Sequence, residues 1–257
     1  MSVPNTMSNP KPFIEVRGLH KKIGWQHILR GLDLTVYRGE TLMLIGPSGE
    51  GKSVLLKHLI GLLRPDSGDI TVSGTCMTGL RERQLAPIRK EIGILFQNAA
   101  LFDSMTVAQN VAFPLIESGL RDRAEIEQRV HAALEVVELE KHKDKLPVNL
   151  SGGMRKRVGI ARAIVPRPHC VLYDEPTSGL DPIVSDVIDQ MIKRLQKRFG
   201  VTSIVVTHDM KSVFKIADRV ALLKEGVIYF LGTPEELRHS SDPVIQDFIE
   251  GRSHITC

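Results

Sequence analysis

The sequence predicts an α/β fold: a mostly parallel sheet covered by helices, interrupted by a helical lobe and preceded by antiparallel β elements. Three observations predict it. Strand-sized apolar runs alternate with helix-periodic stretches through 170–173, 183–195, 203–206 and 213–217, the pattern of a parallel sheet with covering helices. A Gly-rich turn separates the apolar run 41–45 from the amphipathic stretch 52–63, a strand–loop–helix order that phosphate-binding loops use. From about residue 98 to 157 only helical spacing remains, with Ile126, Val130, Ala133, Leu134 and Val137 on one face.

In chain order, residues 1–12 are polar and Pro-rich and read as a frayed tail, without the apolar segment of a signal peptide. Residues 13–16, 33–37 and 41–45 are short, apolar or β-branched and bounded by Gly or charged turns, as strands are. Leu55, Leu56, Leu59, Ile60 and Leu63 carry a helix that Arg64-Pro65-Asp66-Ser67-Gly68 stops. Residues 69–72 and 92–95 are further strands. Ser151 is placed to cap a helix over 154–165, on which Ile160 and Ile164 are spaced by four. Residues 219–224 and 227–231, joined by Glu225-Gly226, read as a closing hairpin, and Ile245 with Phe248 as a short terminal helix. The domain then spans 13–251, with core segments 13–97 and 158–232, a helical subdomain at 98–157 and a C-terminal segment at 233–257.

A chain of 257 residues, 42% apolar and 25% charged, is long enough to bury a sizeable core as one large domain with an inserted lobe. Its longest apolar runs are strand-sized, far from the roughly 18 residues that a membrane span needs, so service to a membrane would run through a partner. The formal charge of +4, with no run of five like charges, fits a solvated surface of mixed sign better than a nucleic-acid footprint. Cys76, Cys170 and Cys257 form no CxxC pair, which argues against a metal site or disulfide framework and fits a reducing compartment. Cys170, opening an apolar run, reads as core.

The chemistry sits in two stretches. Gly46-Pro47-Ser48-Gly49-Glu50-Gly51-Lys52-Ser53, followed by Val54, matches GxxxxGK[ST] in full. Backbone N–H groups of such a turn and helix start form an anion cradle, Lys52 adds a charge toward the β and γ phosphates, and Ser53 offers a hydroxyl to Mg²⁺. Asp174-Glu175 closes the strand 170–173. The first carboxylate suits Mg²⁺ through water and the second a general base for an attacking water. Alone, such an acidic pair is weak evidence; with both the phosphate loop and the signature upstream of it, the functional reading stands.

Between these two motifs stands Leu150-Ser151-Gly152-Gly153, and with it the chain resembles the ATP-binding cassette (ABC) ATPases from about residue 13 to 251. Ser151, Gly152 and Gly153 open bare backbone N–H groups at a helix start. The resemblance implies that this signature caps the γ phosphate held by a second copy, giving a head-to-tail homodimer with two ATP molecules at its interface. It also implies that Gln97 contacts Mg²⁺ or water and links core to lobe, that Asp181 in Ser178-Gly179-Leu180-Asp181 crosses to the partner's site, and that His208 reaches the γ phosphate as the switch histidine. Two positions depart from the pattern. Glu50 stands where the family has a small or neutral residue, so its carboxylate is expected to point outward. Ile23 falls where an aromatic usually stacks on adenine; Trp25, two residues on, either takes that role or packs a hairpin edge.

Within that family, residues 96–107, Met154 with Arg155-Lys156-Arg157-Val158-Gly159, and the ending around Gly232-Thr233-Pro234-Glu235-Glu236-Leu237 are similar to ATPases of Mla-type, MCE-associated phospholipid transporters. This implies a MlaE-like permease, an MCE-domain lipid-binding protein and a peripheral place on the cytoplasmic face of the inner membrane, with no nucleic acid. A cassette for another solute, such as polar amino acids, is opposed only by these cues. A soluble ABC ATPase of DNA, ribosomes or iron–sulfur assembly fits less well: Ser53 and Ser151 are 98 positions apart with no heptads or Cys cluster between them, and there is one cassette rather than two.

Overall fold

A computed structural model of the protein describes residues 11–252. The tail read over residues 1–12 lies outside them up to position 10, as does Cys257, and Pro12 already begins a strand. A long antiparallel ribbon, β1 (Pro12–Ile23) and β2 (Gln26–Tyr37), leads into β3 (Thr41–Ile45) and α1 (Lys52–Leu59). There follow β4 (Ser67–Val72), β5 (Thr75–Cys76), α2 (Glu82–Lys90) and β6 (Ile92–Leu95). Helices α3 (Val107–Glu117) and α4 (Arg123–Val136), then two single 3₁₀ turns, precede α5 (Gly152–Ile164). The chain continues with β7 (Cys170–Asp174), α6 (Pro182–Phe199), β8 (Thr202–Val206) and α7 (Met210–Ile216). It closes with the hairpin β9 (Arg219–Lys224) and β10 (Val227–Gly232) and the short helices α8 (Pro234–Arg238) and α9 (Pro243–Glu250).

Two sheets result. The larger has the order β10-β9-β3-β8-β7-β6 and is parallel from β9 to β6; the smaller, β2-β1-β4-β5, is antiparallel. The inner strands of the larger sheet are buried on both faces, so they read as continuous apolar runs rather than alternating ones. Their pleat shares residues between two cores. Met43, Ile45, Val171, Tyr173 and Val205 face helices α3 to α7, whereas Leu42, Leu44, Leu172, Ile204 and Val206 face α1, α2 and the small sheet. Each such side chain contributes about 1.5–3 kcal/mol by leaving water. Cys170 is fully buried in the second core and its thiol is pushed up by desolvation, as a packing residue should be.

The structure extends the sequence reading in two places. β1 and β2 are twelve residues each, far beyond 13–16 and 33–37, because register shifts at Val16/Leu19 and Lys21/Lys22 break the alternation that marks a strand. Helix α2 was not expected: it is polar, contains Pro87 and buries only Leu85 and Ile88. Helix α1 ends at Leu59, four residues before the apolar spacing does.

Candidate active site

Every strand of the parallel sheet that bears a motif releases it at its carboxyl end, where open α/β sheets place their ligand sites. The phosphate loop follows β3, Asp174-Glu175 follows β7, His208 follows β8 and Gln97 follows β6. β8 lies between β3 and β7, so the loop, the acidic pair and the histidine converge although 155 positions separate Ser53 from His208 in sequence.

The loop is built to receive an anion. Helices α3, α4, α5, α6 and α7 each have a side-chain oxygen accepting from the N–H groups of their first turn; α1 has none. Its N-cap is Gly51 at φ +102°, a left-handed conformation that glycine adopts without strain. The leading N–H groups of α1 and the positive end of its dipole are thus left to a ligand. Lys52 Nζ donates to Gly46 O at 2.7 Å and Pro47 O at 2.8 Å, holding the ammonium inside its own loop. Burial lowers the Lys52 pKa, against the pull of Glu175, Glu50 and Asp174. Glu50 turns away: its Oε2 accepts the Glu225 backbone N–H at 2.5 Å, in the β9–β10 turn. The outward direction required of it is the one found.

Ser53 Oγ donates to Asp174 Oδ1 at 3.2 Å. A hydroxyl and a carboxylate oxygen are the hard donors that suit Mg²⁺, which keeps several waters and takes few protein ligands. Among the described residues no group of three or more His, Cys, Asp or Glu side chains gathers around a metal position. The residues fit the ion.

One position along, Glu175 is largely buried and sits in the left-handed region at φ +49°, with its N–H donated to Val206 O at 3.0 Å. Strained non-glycine backbone of this kind persists where surrounding contacts over-determine it. Its Oε2 lies 2.9 Å from Nδ1 of the exposed His208. The histidine's loop is anchored from below. Asp209 caps α7 through Lys211 N–H, and the Ser212 hydroxyl lies 2.7 Å from Asp189 Oδ2 and 3.2 Å from Asp209 Oδ2. Desolvation pushes the buried Asp189 carboxyl up to about 6, and Asp209 adds to the shift.

The signature lies apart. Ser151 caps α5, accepting from Met154 N–H at 3.3 Å as its spacing predicts. Asp181 caps α6 through Ile183 and Val184 N–H. The two caps are packed side by side: a methyl on Gly152 would lie 3.3 Å from Leu180 Cδ2 and one on Gly153 only 2.4 Å from Val184 Cγ1. Among the described residues no hydrogen bond or ion pair joins 151–153 to the phosphate loop. Gln97 is exposed; only its backbone carbonyl is engaged, by Lys156 Nζ at 2.5 Å. Lys156 is the residue of this neighbourhood that sequence reasoning missed, since a lysine on a polar helix reads as a solvated one.

Trp25 is 100% exposed in the β1–β2 turn, so it packs no hairpin edge and the structural alternative for it falls. It lines an open cleft of about 760 Å³ with His27, Ile28, Gly49 and Glu50, beside the phosphate loop. Ile23 is exposed as well. As the chain's single tryptophan, Trp25 should report base stacking directly. ATP is expected to quench its emission, and Trp25→Ala to weaken ATP binding by about 3- to 10-fold, the worth of one aromatic stack. Equal affinity before and after that substitution would remove Trp25 from the site.

The sequence profile described as ABC transporter matches residues 29–178. The probable ribonucleotide transport ATP-binding protein mkl of Mycobacterium tuberculosis is 41% identical over 239 residues, covering 93% of this chain and 67% of that protein. The chloroplastic protein trigalactosyldiacylglycerol 3 of Arabidopsis thaliana is 39% identical over 255 residues, covering 93% and 73%. Among solved structures, the dimeric post-hydrolysis state of the ATP-binding cassette MJ0796 bound to ADP and Pi superposes with a TM-score of 0.79 at 32% identity, covering 86% of this chain and 98% of that one.

Proposed function

The chain belongs to the ABC transporter family, and from that premise we propose that it drives phospholipid transport as one of two paired cassettes. Its established part is that of the ATP-binding, ATP-hydrolysing subunit of a transporter. Among the described residues no helix is long and apolar enough to cross a membrane, so the path for cargo belongs to a partner. The proposed partners are a MlaE-like permease and an MCE-domain lipid-binding protein, at the cytoplasmic face of the inner membrane. Residues 98–157 would form the lobe that receives the permease, with Gln97 at its root.

For hydrolysis the observation that carries the reading is the pair of contacts Ser53–Asp174 and Glu175–His208, set side by side at the sheet's carboxyl edge. The open N-terminus of α1 and Lys52 would bind the β and γ phosphates. Ser53 and Asp174 would hold Mg²⁺, which when bound supplies positive charge against the phosphate oxygens. Glu175 would accept a proton from the attacking water, and His208 would fix the carboxylate and donate toward the γ phosphate. Little covalent work falls to the protein; positioning and charge do the rest. Ser151, Gly152, Gly153 and Asp181 would complete the site of the opposite copy, which the dimeric state of the solved relative supports.

For the cargo, the supporting observations are the run 96–107, Met154 in the signature, and a relative that carries the name of a galactolipid. The mycobacterial relative is instead named for ribonucleotides, which makes ribonucleotide transport the second reading. Purifying the tagged full chain from detergent-solubilised native membranes separates them. Phospholipid transport expects an integral permease, a lipid-binding partner and bound phospholipid by mass spectrometry. A complex that carries ribonucleotide or amino-acid cargo and no phospholipid overturns it.

A further inference from the structure

Lys156 is only 6% exposed, an expensive place for an ammonium unless its protons are spoken for. It donates to two backbone carbonyls, Gln97 O at 2.5 Å and Glu175 O at 2.8 Å. Those two carbonyls occupy a particular place. β6 and β7 pair in register as far as Leu95 opposite Tyr173; Gln97 and Glu175 each lie two residues further on. The ladder has ended there and the chains diverge, one toward α3, the other toward α6. Lys156, reaching in from α5, bridges the fork where the next rung would have been.

The bridge bears on the Glu175 backbone. That residue is held left-handed, and three contacts fix it: its N–H to Val206 O, and its C=O to Lys156 Nζ and to Ser178 N–H at 3.3 Å. Val206 ties it to β8 and Ser178 to its own turn; among the hydrogen bonds of the described residues, only that of Lys156 ties it to the Gln97 segment and to α5, the helix that Ser151 caps. Desolvation lowers the Lys156 pKa, while Glu175 and Asp174 nearby favour its charged form.

We propose that Lys156 is a positioning residue for hydrolysis: by clamping the Gln97 and Glu175 carbonyls together it sets the Glu175 carboxylate toward the water and makes that setting depend on where the Gln97 segment lies. The inference rests on the reading of Glu175 as the base. The two carbonyls are what the ammonium bonds, so the clamp asks for donors at this place.

The test compares Lys156→Met and Lys156→Leu, neutral and without donors, with Lys156→Gln, neutral but with two N–H groups for the two carbonyls. ATPase kcat, KM for ATP, and Tm are measured on each in the full-length chain. Either apolar variant that folds should lose about tenfold or more in kcat with KM little changed and Tm lowered, because the two carbonyls are left without their donor. Lys156→Gln should recover most of the rate. In a Glu175→Gln background the apolar substitution should have no further effect on the residual rate. Equal rates in the apolar and Gln variants, or equal losses with and without the Glu175 carboxylate, overturn the proposal. The two readings fail separately: full hydrolysis by Glu175→Gln sinks the base, whereas an inactive Glu175→Gln beside a fully active Lys156→Met sinks the clamp alone.

Discussion

Glu175→Gln is expected to lose steady-state ATP hydrolysis by at least about a hundredfold, the worth of a positioned general base, while ATP binding stays within about twofold of wild type. The amide keeps the volume and the left-handed backbone of a largely buried residue. It leaves the Val206 and Lys156 contacts to the backbone intact. What it cannot do is take a proton from water. Removing a negative charge beside the place of the γ phosphate also lowers repulsion, so the bound state should persist rather than weaken. With hydrolysis blocked and the nucleotide retained, the protein should elute from a sizing column as a dimer in ATP and as a monomer without it. Wild-type turnover by this variant would show that the base is elsewhere.

The second large effect comes from the proposed division of each site between two copies. Lys52→Ala removes the ammonium from the phosphate loop, and Ser151→Arg places a long cation where the signature must meet the partner's phosphate. Each variant alone should occlude almost no ATP. Mixed in equal amounts they should recover some, because a mixed pair joins the intact loop of one copy to the intact signature of the other. Random pairing makes half the dimers mixed, each with one complete site, so ATP occlusion should reach about a quarter of the wild-type level. Occlusion is the proper readout, since one repaired site need not turn over alone. A mixture as inactive as its components would mean that loop and signature serve one another within a single copy.

Much of the site was legible before the structure because its parts are local. A phosphate loop needs glycines, a lysine and a hydroxyl within eight residues, and those identities stand in the sequence whatever the rest of the chain does. The cap at Ser151 is likewise decided by its neighbour three residues on. What escaped was non-local. Helix α2, with Pro87 inside and two buried side chains, is held by the sheet and by Arg89 bonding the Ile60 and Gly61 carbonyls rather than by its own propensity. The length of β1 and β2 is set by pairing across bulges, which no alternation in one strand records. Lys156 was invisible because its value comes from two carbonyls 59 and 19 positions away.

By itself the sequence showed where the phosphate-loop, signature and acidic motifs stand and where most strands and helices fall, since motif identity, periodicity and turn chemistry are written in short windows. It could not determine that β8 would lie between β3 and β7, which is what sets His208 against Glu175 and the phosphate loop beside both. Nor could it determine that Glu50 would turn to the β9–β10 hairpin, or that an ammonium would bridge the fork beyond β6 and β7. Strand order follows from burying both faces of one sheet at once, under helices on one side and under helices and a second sheet on the other. That is a property of surfaces far apart in the chain, and only the packed molecule fixes it.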